Sequence, residues 1–394
     1  MSDSTSWASP GGYTPEPAGG TSATASATSV TGVVGAASAG YGPGPGAVPL
    51  TSGWTPPPKP GLIPLRPIEF GTVLGASFQV LRRNPRPTFG AALLLNALVV
   101  FLSTGISTII VVSGLERASR ASAFDSNTIF AGTIALALVA TLLAVGISIV
   151  AQALLQGIIA IEVSRATLGE KLTLRQLFAL GRGRWWALIG WTALLGLVVI
   201  AAFGVLIGLS IGFFVIGDPA AIAGGVILLI IGSLAIVVVA VWIATMLAFV
   251  PAAIVIERLP LGTALRRSWG LVRGAFWRIL GTLLLVSVMV NIAAGIVTTP
   301  FQLATTIAVP LVNPAGQIDT DLTLFFALNI IVIGITAVVG AIGAVLTTSV
   351  TSLLYIDRRM RTEGLDLELQ RFVELRASGA AGADPYQSAP TYAS

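Results

Sequence analysis

Three carboxylates recur at nearly equal intervals, because Glu162, Glu257 and Asp357 lie 95 and then 100 residues apart. Each ends a long apolar run, and an arginine follows within three residues. A negative charge at a helix C-terminus is disfavoured by the helix dipole, so each acid needs a partner. One interpretation is an exposed ion pair with the nearby arginine, which contributes only about 0 to 1 kcal/mol. The alternative is a ring of three acids around a cytoplasmic mouth, which binds a cation or gates a cavity.

The second group with chemical potential is the set of arginines that precede alternate apolar runs. Their segments have apolar residues on one helical stripe and arginine off it, which is typical of helices that lie in the headgroup plane of a membrane. The simpler interpretation is that these segments only anchor the topology. The functional interpretation is a site for anionic lipid headgroups. The candidate headgroup contacts are Arg82, Arg83, Arg182, Arg184, Arg266, Arg267, Arg273 and Arg278.

Catalysis finds little support in the residue types. The chain contains no His and no Cys, which excludes imidazole bases, thiolate nucleophiles and His/Cys zinc sites. No phosphate-binding loop, nucleophile elbow or dinucleotide fingerprint occurs either. The sequence therefore predicts a protein that is not an enzyme and that uses no cofactor or metal. Nucleic acid is not an expected partner, because the basic residues flank apolar runs and no nucleic-acid motif accompanies them.

The elements that must position these residues are membrane spans. Of the 394 residues, 55% are hydrophobic and only 10% are charged, against about 25% charged in soluble domains. Each uncharged interval exceeds the roughly 20 residues that cross a bilayer as helix. We therefore expect an all-α polytopic membrane protein with six transmembrane helices. The predicted spans lie near 88–114, 129–161, 186–216, 220–256, 279–312 and 322–356.

Charge distribution predicts the orientation of these spans. Four segments carry five basic residues each: the one before span one, the loops after spans two and four, and the one after span six. Basic residues in short loops favour the cytoplasm, so both termini are predicted to be cytoplasmic. Arginine far outnumbers lysine, which is typical of GC-rich bacterial genomes, and the expected location is a bacterial cell membrane.

A repeat near 100 residues organises the membrane region. Each unit would comprise a basic amphipathic elbow helix, a span out and a longer span back, giving three elbow-plus-hairpin units. The clearest elbow places Leu261, Ala264, Leu265, Ser268, Trp269, Val272 and Phe276 on one stripe. Another places Phe70, Val73, Leu74, Phe78 and Leu81 together. The membrane domain is assigned to 62–376, flanked by disordered tails at 1–61 and 377–394.

Polar groups inside the predicted spans are amides and hydroxyls only. Charged residues are absent there, which disfavours proton-coupled pumps and voltage sensors. The amides are expected to bond across helices at about 0.6 kcal/mol each. A continuous cavity lined by them would indicate transport, and a packed centre would indicate a scaffold. They are Gln152, Gln156, Asn291 and Asn329. Two small-residue faces predict close helix packing, namely Gly204, Gly208, Gly212 and Gly340, Ala344, Thr348.

Two segments carry a resemblance to a known family. They are IPLRPIEFGTVLGASFQVLRRNP at residues 63–85 and VIERLPLGTALRRSWGLVRGAFWRILG at residues 255–281. Both resemble the bacterial family named for the membrane domain of glycerophosphoryl diester phosphodiesterase. In the namesake, a soluble barrel with His and metal-binding acids follows the membrane part. Fewer than 40 residues follow Ile356 here, so the resemblance implies the membrane part without the hydrolase.

The leading functional expectation is a membrane-embedded binding or scaffold module for an envelope partner or a lipid. The alternative is a transporter or permeation pathway for a lipid-like or small apolar solute. Expected partners are the lipid bilayer and its anionic headgroups, together with a membrane protein partner or a second copy of the chain.

Overall fold

The computed structural model describes residues 61–120, 123–312, 318–380 and 382–387. Within these ranges the chain is helical, and no strand occurs. The tail at 1–60 lies outside the described residues. The helices are α1 Phe70–Arg83, a π-helical turn Arg86–Gly90, α2 Ala91–Arg120, α3 Ala123–Thr167, α4 Leu174–Leu180, α5 Trp185–Ile216, α6 Pro219–Met246, α7 Val250–Ile256, α8 Leu261–Arg273, α9 Phe276–Val312, α10 Ile318–Glu363 and α11 Leu365–Ala377.

Six stretches of helix are long and apolar enough to cross a membrane, which confirms the predicted number of spans. Helices suit this environment because hydrocarbon offers no water to satisfy a free backbone N–H or C=O. The helices α3 and α10 have 45 and 46 residues, so their ends extend beyond the apolar core. The six stretches are Arg86–Gly114, Thr128–Thr167, Trp185–Ile216, Pro219–Ile256, Phe276–Ala304 and Asn329–Glu363.

The turn between α5 and α6 shows how the sequence makes a tight hairpin. Gly217 has φ +74°, the left-handed conformation in which a helix C-cap avoids a Cβ clash. Asp218 then caps α6, because its side chain accepts hydrogen bonds from the N–H groups of Ala220 at 3.1 Å and Ala221 at 3.3 Å. Pro219 occupies the first turn, where its missing N–H costs nothing.

Three hairpins form the bundle, and each packs against the next. The helix pairs α2–α3, α5–α6 and α9–α10 are the hairpins. Between them, α2 packs against α10, α5 against α3, and α6 against α9. The helix α3 also contacts α7 and α10, so it lies at the centre of the bundle. The end where α3, α7 and α10 terminate is called the basic end below, because the arginine-rich segments gather there.

The fourth span is broken between α6 and α7. Pro251 lies in the first turn of α7 and has no N–H to donate to the preceding turn. Ser268 of the elbow α8 repairs the break, because its Oγ accepts from the N–H of Phe249 at 3.2 Å and donates to the carbonyl of Met246 at 2.9 Å. Ser268 is fully buried, so this elbow is joined to the fourth span by specific hydrogen bonds.

The elbow helices α8 and α1 differ in how much of the predicted apolar stripe they bury. The face of α8 that carries Ala264, Ser268 and Val272 is buried, as predicted. On α1 the buried face instead carries Val73, Ala76, Ser77 and Val80. Phe70 and Phe78 of the predicted stripe are 39% and 46% exposed, much as Trp269 of the α8 stripe is 38% exposed, and the placement of these stripes at a membrane surface stays a prediction. Small residues let α1 approach α10 closely, and the phenyl rings remain on the outer surface.

Both ends of the described chain are tied to the basic end. The N–H of Leu62 donates to the carbonyl of Ala166 at 2.9 Å, and the amide of Gln370 on α11 donates to the carbonyl of Leu65 at 2.9 Å. At the other terminus, Tyr386 is buried and its hydroxyl contacts the hydroxyl of Thr167. Pro385 and Tyr386 are buried, whereas residues 382, 383 and 387 are exposed, and the predicted tail at 377–394 stays a prediction.

Candidate functional site

The three recurring acids all lie at the basic end, and all three are buried. Glu162, Glu257 and Asp357 are 1%, 5% and 1% exposed. The predicted exposed ion pair is therefore wrong, because a carboxylate removed from water must be matched by buried partners instead. The pattern of apolar run, acid and arginine gave no sign of this burial. Residues 61–69, called the leading segment below, contact Asp357, and α8 contacts Glu257, so the covering residues come from distant parts of the chain.

Glu257 is the centre of a four-residue charge network. Its Oε2 lies 2.6 Å from Nε of Arg267 in an ion pair, and its Oε1 lies 3.2 Å from Nε of Arg359. The hydroxyl of Tyr355 also donates to this carboxylate. Both arginines reach Glu363, at 2.8 and 2.9 Å. Burial lowers the pKa of Arg267, but the hydrogen bond and charge of Glu257 outweigh it, so the net pKa is raised and the guanidinium stays charged.

Asp357 joins the last span to the leading segment. It accepts a hydrogen bond from the N–H of Ile68 at 2.9 Å, and Nε of Arg361 lies 3.0 and 2.9 Å from its two oxygens. Arg278 approaches at 3.7 Å. The two arginines also donate to the carbonyl of Ile68, at 2.9 and 3.4 Å. One carboxylate and two guanidinium groups therefore hold the start of the membrane domain against its last span.

Glu162 differs from the other two acids because it has no guanidinium within ion-pair distance among the described residues. Its Oε1 accepts from the amide of Asn84 at 3.1 Å, and its Oε2 has no hydrogen-bond partner in the same part of the chain. Arg83 lies nearby but donates to the carbonyl of Ala166 at 2.7 Å. The same Asn84 amide donates to the carbonyl of Leu172 at 2.8 Å.

These contacts give each acid a separate set of partners. Across the ranges that the structure describes, no group of three acidic side chains is placed to hold a metal ion. None of the three acids lines the cavities described below. A cation-binding ring therefore has no geometric support, and the three acids serve as joints between helices.

The eight candidate headgroup arginines divide into two groups. Three make internal contacts: Arg83 with a backbone carbonyl, Arg267 with Glu257, and Arg278 with Asp357. Another four are exposed on or beside the elbows, with no ion pair to a described acid. They are Arg82, Arg182, Arg266 and Arg273. Arg184, half-buried before α5, likewise pairs with no described acid.

A polar chamber of about 250 Å³ lies within the bundle, a short distance from the basic end. It is bordered by α3, α5, α10 and the broken segment between α6 and α7, and it is partly open, since its lining residue Gln152 is exposed. Gln156 lines it and precedes Glu162 by six residues. Its polar lining consists of amides and hydroxyls, chiefly Gln152, Gln156, Thr192, Thr347, Thr348 and Ser352.

The two glutamines of the chamber are free of internal partners. No hydrogen bond joins either side chain to any residue in the described ranges, whereas the amide of Asn291 donates to the carbonyl of Ser287 on its own helix at 2.7 Å. The prediction that the amides bond across helices is therefore wrong for these three. Gln152 and Gln156 line the cavity, as the transport hypothesis required, and Asn291 does not.

An apolar groove of about 870 Å³ adjoins the chamber between α3, α5 and α6. The two spaces share Gln152, Thr192, Leu195 and Ala244, so they lie side by side along these four residues. The groove is open to the outside of the bundle, since its wall residue Val198 is 53% exposed. It lies within the membrane-spanning stretches, so its opening faces hydrocarbon when the protein is embedded.

The two predicted small-residue faces differ in whether they pack against a neighbouring helix. A Cβ built at Gly340 would lie 3.4 Å from Oδ1 of Asn96, so this face packs against α2 as expected. At Gly204, Gly208 and Gly212 no atom lies within 4 Å of that position. The prediction that these glycines pack against a neighbouring helix is wrong within this chain, because α5 contacts α3 and α6 through other faces.

Comparison with known proteins gives a family but no activity. The family model described as a domain of unknown function, DUF7847, matches residues 68–354. The chain belongs to this family. The DUF7847 region begins at the leading segment and includes the chamber, the groove and two of the three buried acids. No curated protein matches the chain. No solved structure matches it either.

The resemblance to the phosphodiesterase membrane domain stays a prediction beside this result.

Of the polar residues that line the chamber, the sequence pointed mainly to the two glutamines. The missed residues are the hydroxyls of α10, in the run Thr347, Thr348, Ser349, Val350, Thr351, Ser352. Such a dense polar run at the end of an apolar span is the signal that would have found them.

Proposed function

We propose that this protein is a non-catalytic membrane protein that binds a lipid-like amphiphile within its helical bundle. The observation that supports this proposal best is that the apolar groove lies directly beside the more polar chamber and shares four lining residues with it. An amphiphile has the same division, with an apolar chain and a polar head. The groove is the size of a binding site for a small molecule, and its opening lies at the depth where lipid chains are found.

The free glutamines favour an occupied chamber. A polar group removed from water without a partner costs about 1 to 3 kcal/mol. Gln152 is exposed and Gln156 half-buried on the groove side of α3, and neither has a partner in the described part of the chain, so both side chains would face hydrocarbon in an embedded, empty bundle. A polar head in the chamber would restore those hydrogen bonds. A chain of carbon atoms in the groove would contact residues such as Ile149, Leu195 and Val239. Head and chain would therefore both find matching surroundings.

The bundle that forms this site is proposed to consist of three related units. Cyclic packing supports this arrangement: the first span of every unit packs against the second span of another, as α5 on α3, α9 on α6 and α2 on α10. A repeated cap supports it too. Arg258 donates to the carbonyl of Leu180 at the end of α4, and Arg358 to that of Leu271 near the end of α8, both at 3.1 Å.

The basic end is proposed to face the cytoplasm of a bacterial cell, because the clusters of five basic residues gather there. The exposed arginines Arg82, Arg182, Arg266 and Arg273 would contact anionic headgroups, at about 1 kcal/mol each. The internally bound Arg83, Arg267 and Arg278 would serve the fold instead. Of the eight arginines that the sequence suggested as headgroup contacts, the proposed contacts are therefore only those whose guanidinium makes no internal contact.

A transporter for the same amphiphile is the second candidate. One observation favours it: the chamber approaches to within two helical turns of the basic end, so a head group held there has crossed most of the bundle. Residues 384–387 cover this end, where they pack with Ser164, Arg165 and Arg258. Transport would require this cover to open, whereas a binding module would keep it closed.

The experiment that tests binding is photo-crosslinking of the purified full chain in bilayer nanodiscs with lipids that carry a diazirine in the acyl chain. Peptides from α3, α5 and α6 should be labelled above the level of other lipid-exposed helices. Ala240→Phe, which fills the groove, should reduce this labelling. Val238→Phe is the matched control, since Val238 is 60% exposed on the same helix and does not line the groove. Equal labelling in both variants would count against the proposal.

A further inference from the structure

We infer that the chamber selects an amphiphile with an uncharged head group that carries hydroxyl groups. This inference rests on the proposed function and specifies the ligand class. It separates neutral lipids, such as diacylglycerols and other lipid alcohols, from the phospholipids that surround the protein. Three properties of the chamber carry the argument: its charge, the direction of its hydrogen bonds, and its size.

The chamber contains no charged side chain among the described residues that line it. At the basic end, the guanidinium groups of Arg267 and Arg359 are committed elsewhere, since they bind Glu257 and Glu363. A phosphate in this chamber would lose its hydration and gain no cation. An unpaired buried charge is far more costly than a buried hydroxyl. The chamber therefore discriminates against a charged head.

Four of the five described hydroxyls that line the chamber, all except Thr348, already donate their protons to their own helices. Thr192 donates to the carbonyl of Leu188, Thr347 to that of Gly343, and Ser352 to that of Thr348, each at 2.9 Å. A hydroxyl that has donated still has lone pairs that accept. These groups therefore present acceptors to the chamber, and a matching ligand must supply O–H donors.

The glutamines provide the complementary function. Each side-chain amide offers two donors and one carbonyl acceptor, and Gln152 and Gln156 spend none of these on described residues. Their N–H groups can bind a hydroxyl, ether or ester oxygen of the ligand. Acceptors from α5 and α10, together with donors from α3, fit a head group that both donates and accepts, as an alcohol does.

The chamber volume limits the head group. About 250 Å³ equals the volume of about eight water molecules, at about 30 Å³ each in the liquid. A glycerol-sized or single-sugar head fits this space, and an oligosaccharide does not. The chain would leave the chamber past Gln152 and Leu195, which belong to both spaces, and follow the groove outward.

The experiment compares two photoreactive lipids with identical acyl chains, a diacylglycerol and the matching phosphatidic acid, on the full chain in nanodiscs. The readout is labelling of groove peptides, so phosphatidic acid held by arginines at the surface is not counted. We expect diacylglycerol to label the groove at least tenfold more. Gln152→Leu combined with Gln156→Leu should abolish this preference. Asn291→Leu, which removes an amide bonded within its own helix, should leave it unchanged.

The outcomes separate this inference from the proposed function. Equal labelling of the groove by both lipids, or stronger labelling by phosphatidic acid, overturns the head-group inference and leaves amphiphile binding intact. Labelling of the groove by neither lipid overturns both. The wild-type comparison alone decides between these results, so the inference stays testable even if the double variant fails to fold.

Discussion

Removing the carboxylate of Glu257 should destabilise the bundle more than removing any exposed acid. Glu257→Ala leaves Arg359, whose side chain is 6% exposed, with Glu363 as its one remaining acid among the described residues, and it removes the closest counter-ion of Arg267. Loss of one partner from a buried pair costs about 3 to 5 kcal/mol. We expect the lower part of that range, because the Arg267 side chain is 26% exposed and is partly screened by solvent.

Glu363 supplies the matched control for this prediction. It contacts the same two arginines, but its side chain is 29% exposed, so Glu363→Ala should cost no more than about 1 kcal/mol. The assay is reversible unfolding in a titration of mild detergent with sodium dodecyl sulfate, followed by tryptophan fluorescence. Equal unfolding midpoints for the two variants would refute the reasoning that burial makes Glu257 essential. Arg359→Met added to Glu257→Ala should recover part of the loss, because it removes a buried charge that only the partly exposed Glu363 still balances.

Three further predictions concern packing, topology and the C-terminal segment. Gly157→Leu should impair folding, because a Cβ there lies 2.6 Å from an indole carbon. Gly208→Leu meets open space and should express normally. A lower yield for Gly208→Leu than for Gly157→Leu would contradict the assignment of Gly157 as the packed position. Reporter fusions at Pro219 should report the outside and fusions after Gly262 the inside, and an inside signal at Pro219 would reverse the proposed orientation. Burial raises the pKa of Tyr386 above its ordinary value of about 10. The stability that this phenol contributes is therefore complete below pH 10 and is lost as the pH rises through its folded pKa. Proteolysis of the C-terminal segment should increase at strongly alkaline pH in the wild type. The increase should be much smaller in Tyr386→Phe.

The number of spans could be predicted from the sequence because it depends on composition alone. An uncharged run of sufficient length is helical in a bilayer whatever its neighbours are. The face that an elbow buries could be predicted for α8, where arginine marks the outer side. It could not be predicted for α1, because Phe70 and Phe78 remain outside in a membrane protein, where exposed aromatic rings face lipid and not water.

The candidate site was less accessible from the sequence because it depends on contacts between distant segments. The partners of Glu257 lie on α8 and α10, and the partner of Asp357 is a backbone N–H 289 residues away. The residues next to each acid in the sequence do not indicate which distant residues will contact it. The glutamines were correctly identified as polar groups within a span, yet their lack of partners depends on which helices surround them.

The clasp between the leading segment and the last two helices has a consequence for biogenesis. A hydrogen bond joins Leu65 to Gln370, which lies 305 residues later in the chain. The leading segment therefore cannot make this contact until the last helix has been synthesised. Until then, Leu62, Ile63 and Leu65 would rest on the membrane surface with their apolar side chains uncovered. Insertion of the spans can proceed pair by pair during translation, but closure of the basic end is a single late event. Shortening the domain from either terminus should therefore leave the same half-assembled intermediate, with six helices inserted and the two ends unjoined.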